Sequence, residues 1–170
     1  MPEEKTSKTA KKIEMVANIA IIIAAIAVVL IFVRNYMQKS GLPPTIATGT
    51  KLALQNVNWQ SSEKNLVLAV STTCHFCTES AGFYRQLVSQ CKQQHVHTIA
   101  VLPQAIPEAE SYLKNEGVTV DEVRQAALPD LKINGTPTLL LVDSGGIVRS
   151  VWEGKLPDDQ EKDVISKMGP

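Results

Sequence analysis

The sequence predicts an α/β protein in which a mixed central sheet is flanked by helices and preceded by a single N-terminal transmembrane helix. Three observations lead to this prediction. Residues 16–33 form an apolar run. Between residues 51 and 168, short apolar runs typical of strands alternate with segments typical of helices. The last two apolar runs, at 138–142 and 147–152, are joined by a short turn, which indicates an antiparallel hairpin.

The apolar run VANIAIIIAAIAVVLIFV contains one polar residue, Asn18. Its 18 residues would form a helix about 27 Å long, close to the ~30 Å hydrocarbon core of a bilayer. A cleavable signal peptide has a shorter apolar region, of roughly 7–15 residues, and a small-residue cleavage site. Here the run is longer and is followed by RNYMQKSG. We therefore predict an uncleaved anchor at residues 13–33.

The charge distribution predicts the orientation of this anchor. The formal net charge is zero, which argues against a nucleic-acid partner. Residues 1–50 carry six basic and three acidic side chains, whereas residues 51–170 carry eleven and fourteen. Four lysines precede the apolar run, so the positive-inside rule places residues 1–12 in the cytoplasm. The rest of the chain is then extracytoplasmic, on the periplasmic side of a bacterial inner membrane, in an equivalent space, or in a lumen. Thiol pairs in such compartments can cycle through disulfides.

Residues 34–50 contain two prolines and two glycines and show little apolar periodicity, which indicates a linker. Residues 51–168 have the patterning of one globular domain. The predicted strands are 51–59, 66–70, 97–102, 138–142 and 147–152. The predicted helices are a segment from the cysteine pair to about Gln93, then 107–116, then 121–131 with Pro129 at its end, and finally 158–168.

Two of the three cysteines, Cys74 and Cys77, lie in the segment STTCHFCTES. This segment follows the predicted strand LVLAV and opens the next predicted helix. Unpaired N–H groups and the helix dipole favour an anion at a helix N-terminus, so a thiol there ionises below its ordinary pKa of about 8.5. The position suits Cys74 as an exposed nucleophile and Cys77, one helical turn later, as the resolving thiol.

Three other interpretations of the pair have less support in the sequence. Covalent haem attachment requires CxxCH, but Thr78 follows the second cysteine. A structural disulfide stays open, although so short a loop would restrict the unfolded chain little. A structural zinc site usually needs four ligands, and no second CxxC is present. The remaining candidate ligands are His75, Cys91, His95 and His97.

Three stretches together resemble the thioredoxin superfamily, and more narrowly the membrane-anchored extracytoplasmic thioredoxin-like proteins of the TlpA and ResA kind. They are CHFC after LVLAV, the turn GTPT at 135–138, and LLLVDSGGIVRSVWEGKL at 139–156. The resemblance covers residues 51–168 and implies a thioredoxin-like fold. It also implies a cis bond before Pro137, beside the cysteine pair, and backbone groups of Thr136 that bind the substrate chain. It implies no cofactor beyond the redox-active disulfide Cys74–Cys77.

The chain departs from typical thioredoxins near the pair. Thr73 stands where they have tryptophan. Leu68 occupies the strand position where they often have a buried acid that helps to deprotonate the resolving cysteine. Glu79 could substitute for that acid, but an acid in the first turn of a helix is already explained by the helix dipole.

The dipeptide between the two sulfurs is His75-Phe76. A histidine cation beside Cys74 would stabilise its thiolate and make the disulfide more oxidising. The alternative is a solvent-facing histidine with little effect. We expect Phe76 to present apolar area to a partner, and we count both residues of the dipeptide as candidate substrate contacts.

The third cysteine and the other two histidines have no assigned role. Cys91 follows Cys77 by fourteen residues, and we expect a buried free thiol, because unpaired cysteines are usually buried. His95 and His97 flank the start of a predicted strand. Two imidazoles there could bind a metal, but we expect surface residues.

These observations predict a membrane-anchored, extracytoplasmic thiol–disulfide oxidoreductase, with exported proteins as substrates and a membrane protein as candidate electron donor. The alternative is a non-catalytic binding module or a copper metallochaperone on the same scaffold. A copper site of the kind seen in some relatives uses two cysteines and a later histidine, and no histidine follows His97. The sequence leaves open the direction of electron flow, which depends on a few kcal/mol, since about 30 mV corresponds to ~1.4 kcal/mol.

Overall fold

The computed structural model describes residues 25–29 and 45–169. The chain divides into two units, Met1–Leu42 and Pro43–Pro170. In the first unit, residues 25–29 are helical and their large apolar side chains are exposed. The predicted cytoplasmic residues, the rest of the predicted anchor at 13–33, and residues 34–44 of the predicted linker lie outside the described residues. Within the described ranges, no helix is long and apolar enough to cross a membrane.

The second unit is built on a five-stranded sheet in the order β3-β2-β1-β4-β5. Its strands are β1 Lys64–Ala69, β2 His97–Leu102, β3 Glu122–Gln125, β4 Thr138–Asp143 and β5 Val148–Glu153. Strand β2 pairs in parallel with both β1 and β3. Strand β4 is antiparallel to both β1 and β5. The predicted mixed sheet and the predicted terminal hairpin are therefore confirmed.

The α-helices of this unit are α1 His75–Glu79, α2 Ala81–Gln93, α3 Ile106–Asn115 and α4 Asp158–Met168. The helix predicted from the cysteine pair to Gln93 is thus interrupted at Ser80. The helices predicted at 107–116 and 158–168 are confirmed to within a residue. Shorter 3₁₀ helices lie at Trp59–Ser61 and Leu128–Leu131.

The central strand β1 is buried on both faces, because side chains of a strand alternate between two sides and each side here meets a core. Leu66 and Leu68 point into a first core, and Val67 and Ala69 point into a second. Burying one such aliphatic side chain stabilises the fold by about 1.5–3 kcal/mol. The helices cover the first core through Leu87, Cys91, Ala109, Leu113, Val164 and Met168. Segments outside the α-helices cover the second core through Ile46, Leu52, Leu54, Leu128, Leu131 and Ile133.

The predicted strand at 51–59 is wrong. Lys51 makes an isolated bridge to the turn before β5, and Asn56 has a positive φ of 58°, which is incompatible with an extended strand. Leu52 and Leu54 are nevertheless buried in the second core. The alternation in the sequence therefore reflects the burial of an irregular segment.

Residues 45–50, at the end of the predicted linker, pack against the second unit. The side chain of Ile46 is 4% exposed, and its N–H donates to the carbonyl of Lys132 over 2.8 Å. The N–H of Val148 donates to the carbonyl of Thr50 over 2.9 Å. This part of the predicted linker is therefore fastened at both of its ends.

The predicted helix at 121–131 is also wrong over most of its length. Residues 122–125 form β3, which pairs with β2 from Ile99 to Leu102, and Val123 packs against the first core. This pairing depends on a strand that is distant in the chain, so it leaves no local pattern. Only residues 128–131 are helical, as a 3₁₀ turn that ends at Lys132, where φ is 58°.

Candidate active site

The two cysteines lie just beyond the C-terminal end of β1, where a loop leads into α1. The N–H of Cys74 donates to the carbonyl of Ser71 over 3.1 Å and closes a tight turn. Cys74 then caps α1: its backbone is extended, and its Sγ accepts from the N–H of Cys77 over 3.2 Å. The two cysteines form a disulfide, with their Cα atoms 5.2 Å apart. The pair therefore lies between a strand end and a helix start, as predicted.

The two sulfur-bearing residues differ in their access to solvent. Cys74 is half-buried, whereas Cys77 is 0% exposed and belongs to the first core. A partner that approaches the disulfide therefore reaches Cys74 first. The N–H of Cys77 donates to the Sγ of Cys74, so negative charge on that sulfur is stabilised by the start of the helix.

The peptide bond between Thr136 and Pro137 is cis, as the resemblance implies. The carbonyl oxygen of Thr136 lies 3.3 Å from the Sγ of Cys74. The register of the sheet brings them together, because Thr138 at the start of β4 pairs with Ala69 at the end of β1. Pro137 is buried and Thr136 is half-buried. Thr136 is thus partly exposed beside the disulfide.

His75 and Phe76 are both exposed, the side chain of His75 to 79% and Phe76 to 54%. The Nε2 of His75 is 3.0 Å from Oε1 of Glu79, and Oε2 of Glu79 is 2.9 Å from Nζ of Lys155. The hydrogen bond from Lys155 is the main reason why the pKa of Glu79 lies below its usual range. Glu79 therefore joins Lys155 to the imidazole beside the disulfide. It is the last residue of α1, so the expectation of an acid in the first turn is wrong.

The position where related folds often have a buried acid is apolar here. Leu68 is fully buried in the same core as Cys77. Within residues 25–29 and 45–169, no aspartate or glutamate is fully buried. Thr73, in the position of the usual tryptophan, is exposed. The thiol of Cys77 consequently has no buried carboxylate among these residues to receive its proton.

Cys91 is a free thiol on α2, fully buried in the core that also contains Cys77. Burial raises the pKa of Cys91 to about 12. The thiol therefore stays protonated near neutral pH, and a protonated thiol is a poor nucleophile. The prediction of a buried free thiol is confirmed.

His95 and His97 have different surroundings. His95 is exposed in the turn before β2. His97 is half-buried, with its Nε2 3.1 Å from Glu122 and its Nδ1 3.6 Å from Asp121. The prediction of surface histidines therefore holds for His95 and is wrong for His97. In the part of the chain that the structure describes, no group of three or more histidine, cysteine, aspartate or glutamate side chains is arranged to hold a metal.

One group of polar residues next to the pair has no signal in the sequence. It binds the turn Ser71–Cys74 to Gln104, in the connection between β2 and α3, and to Glu108 in the first turn of α3. The Nε2 of Gln104 donates to Oγ of Ser71 over 2.9 Å, and Oε1 of Gln104 accepts from the N–H of Thr72 over 3.4 Å. The hydroxyl of Thr72 donates to Oε1 of Glu108 over 2.8 Å. The partners are 32 to 36 positions apart, so no local pattern reveals them.

No protein-family profile matches the chain, and no curated protein sequence matches it. Solved structures do match. A candidate thiol:disulfide interchange protein DsbE from Chlorobium tepidum is 16% identical with a TM-score of 0.60, over 74% of this chain and 100% of that one. The thioredoxin domain of a thiol-disulfide oxidoreductase from Bacteroides vulgatus is 15% identical with a TM-score of 0.58, over 74% and 100%. StoA from Bacillus subtilis is 14% identical with a TM-score of 0.52, over 72% and 97%. The chain thus has the thioredoxin-like fold that its motifs predict.

Proposed function

We propose that the chain is a membrane-anchored, extracytoplasmic thiol–disulfide oxidoreductase that reduces disulfides of exported proteins. One observation carries the proposal: Cys74 is partly accessible, Cys77 is buried behind it in the same disulfide, and the Thr136 backbone lies beside them. The arrangement provides a nucleophile, a resolving thiol and an edge for a peptide chain. The names of structurally similar proteins, a thiol:disulfide interchange protein and a thiol-disulfide oxidoreductase, support the same activity.

The reaction starts from the reduced pair. The Cys74 thiolate attacks one sulfur of the substrate disulfide, so that a mixed disulfide forms and one substrate thiolate leaves. Cys77 then loses its proton and attacks the Sγ of Cys74. This second exchange forms the intramolecular disulfide and releases the other substrate thiolate. Two electrons pass from the pair to the substrate, and the two thiolates that leave take up the protons that the two cysteines lose.

Groups around the pair favour these steps. The N–H of Cys77 stabilises the attacking thiolate of Cys74. We assign the backbone of Thr136, next to Pro137, to binding of the substrate chain, and the exposed His75 and Phe76 to contacts with it. Because Leu68 replaces a buried acid, we infer that the proton of Cys77 leaves to water or to a group of the substrate.

The place of action follows from the N-terminal segment. The apolar residues 16–33 and the four lysines before them support an anchor whose cytoplasmic end is the N-terminus. The thioredoxin-like domain then acts on the periplasmic side of a bacterial inner membrane. The oxidised pair must be reduced again after each turnover, and we propose a membrane protein as the electron donor.

Insulin reduction by the full-length chain in detergent tests the activity. Cys74→Ser and Cys77→Ser should each abolish catalysed reduction, because each removes one of the two exchanges. Cys91→Ser is the matched control and should keep the wild-type rate, because its thiol is buried and protonated. Wild-type rates in the variants at positions 74 and 77 would refute the proposed function.

A redox titration of the pair tests the direction of electron flow. A reduction potential near about −270 mV supports a reductase, whereas one near about −120 mV indicates an oxidase and contradicts the proposed direction.

Metal analysis of the purified protein tests the copper alternative. Stoichiometric copper together with no two-electron couple would replace the proposal with a metallochaperone.

A further inference from the structure

The tight turn that leads into Cys74 is held from outside its own segment. Both polar atoms of the Gln104 amide bind it: Nε2 donates to Oγ of Ser71 over 2.9 Å, and Oε1 accepts from the N–H of Thr72 over 3.4 Å. The same Oγ of Ser71 also accepts from the N–H of Thr73 over 3.4 Å. One amide from the connection between β2 and α3 thus fixes the three residues before the nucleophile.

The bond between Gln104 and Ser71 is better protected from water than the bond between Thr72 and Glu108. Ser71 is only 8% exposed, and its bond to Gln104 is partly buried. The bond between Thr72 and Glu108 is exposed, so water competes for both partners. Of the two side chains that hold residues 71 and 72 from a distance, Gln104 is therefore the better protected.

The turn determines where the sulfur of Cys74 lies. Its closing bond joins the N–H of Cys74 to the carbonyl of Ser71. From that position the sulfur meets the N–H of Cys77 at 3.2 Å and the carbonyl oxygen of Thr136 at 3.3 Å. Two thiols that are held close together form a disulfide as if each were at a high effective concentration. If one of them is less firmly held, that effective concentration falls. A looser turn would therefore disfavour the disulfide relative to the two free thiols.

We propose that Gln104 is a positioning residue that sets the redox equilibrium of the Cys74–Cys77 pair by holding the turn before Cys74. The inference rests on the proposed function to the extent that the pair is taken to be redox-active. Gln104 acts through Ser71 and Thr72, and the mechanism assigns it no chemical step. Loss of its amide should shift the pair toward the reduced state without removing either sulfur.

The experiment is the redox equilibrium of the full-length chain with glutathione. Gln104→Met keeps the length of the side chain without its polar atoms, and Gln104→Ala removes most of the side chain. In both variants we expect the equilibrium constant for disulfide formation to fall about tenfold, which makes the reduction potential about 30 mV less negative. An unchanged constant in Gln104→Met would overturn the inference.

Gln125→Ala is the matched control. The Nε2 of Gln125 donates to the carbonyl of Pro103 over 3.2 Å, so this variant removes a glutamine bond to the same connection but leaves the turn intact. It should keep the wild-type equilibrium. If Gln125→Ala changes the equilibrium constant as much as Gln104→Met does, general loosening of the connection is responsible. That result would contradict a specific role of Gln104.

A double-mutant cycle tests the path through Ser71. Ser71→Ala removes the partner of the Gln104 Nε2 and should lower the constant to a similar extent. The combination of Ser71→Ala with Gln104→Ala should shift it little further, because both remove the same bond. Fully additive shifts would overturn the inference. Urea unfolding of each variant establishes that it is folded. If a Gln104 variant does not fold, Ser71→Ala still tests the attachment of the turn, although it also removes the contact from the N–H of Thr73.

Insulin reduction, measured in parallel, separates this inference from the proposed function. If the wild-type chain does not reduce insulin but the Gln104 variants shift the equilibrium, the function fails and the positioning role stands. If the wild-type chain is active and the equilibrium of the Gln104 variants is unchanged, the positioning role fails and the function stands.

Discussion

The Sγ of Cys74 lies 3.3 Å from the carbonyl oxygen of Thr136, although 62 positions separate the two residues. The contact exists because β1 and β4 are neighbouring antiparallel strands in which Ala69 pairs with Thr138. The loop before β4 thus forms one side of the site. A change that loosens this loop should alter substrate binding more than the chemistry of the sulfurs.

Thr138 provides a way to loosen it. The buried hydroxyl of Thr138 donates to the carbonyl of Gly135 over 2.8 Å. Thr138→Val keeps the shape of the side chain and removes this bond, so we expect the free energy of unfolding to fall by about 1 kcal/mol. We also expect the KM for insulin to rise several-fold with little change in kcat. Urea unfolding and steady-state kinetics measure the two effects.

Thr98→Val is the control for that prediction. The hydroxyl of Thr98 is also buried and donates to Oδ2 of Asp121 over 2.6 Å, but Thr98 lies at the far end of β2 from the disulfide. It should lose stability without a change in KM. A change in KM in both variants, or in neither, would contradict the role of the loop before β4.

The charge of His75 should influence the pair. A positive charge beside Cys74 stabilises its thiolate and therefore the reduced state. We expect His75→Ala to make the reduction potential more negative. Redox titration of the variant and of the wild-type chain measures the effect.

The exposed His95 provides the comparison, since His95→Ala removes an imidazole from the turn before β2. It should leave the reduction potential unchanged. If His75→Ala behaves in the same way, His75 is a solvent-facing residue with no influence on the sulfurs.

Cys91 should resist labelling in the folded chain. Its side chain is 0% exposed, and burial raises its pKa to about 12. With the disulfide intact, iodoacetamide at neutral pH should label no thiol in the native protein and one after unfolding in urea. Mass spectrometry counts the adducts. Rapid labelling of Cys91 without denaturant would show that this part of the first core opens easily.

Stability should decline at alkaline pH. Burial raises the pKa of Tyr84 and of Cys91 to about 12, whereas in the unfolded chain these side chains ionise near pH ~10 and ~8.5. The folded state thus favours the protonated forms. Their contribution is complete below pH ~8.5 and is lost as the pH rises toward 12, because the unfolded chain releases its protons first. Urea unfolding between pH ~8 and ~11 measures the slope.

The double variant Tyr84→Phe with Cys91→Ala isolates the two groups. It should show a clearly smaller loss of stability over the same pH range. A slope equal to that of the wild-type chain would mean that other groups cause the alkaline loss.

Three of the strands that the sequence predicts are buried on both faces. LVLAV, HTIAVL and TLLLV are continuous apolar runs of strand length, and they overlap β1, β2 and β4. Strand β5 is predicted by the hairpin turn before it, although only Val148 and Trp152 of its six residues are buried. Strand β3 is different: its four residues are at most half-buried, and their pairing with β2 decides their conformation. Segment 51–59 shows the opposite case, in which buried leucines alternate without a strand because the second core is covered by irregular chain.

Some features of the site can also be predicted from the sequence, whereas others depend on the fold. The cysteine pair and the GTPT turn are motifs of neighbouring residues, so both can be identified from the sequence alone. The contact between Cys74 and Thr136 depends on strand register, and the family resemblance supplied it. Gln104 belongs to no motif, and its role becomes visible only when β2 places it beside Ser71.

The burial of Ile46 fixes the beginning of the second unit. Ile46 packs in the second core and its N–H donates to Lys132, so the chain that follows it is not free to extend. If the proposed anchor ends at Val33, the connection to this fixed point would be residues 34–45 instead of 34–50. At about 3.5 Å per extended residue, the greatest span of that connection would then be about 42 Å instead of about 60 Å.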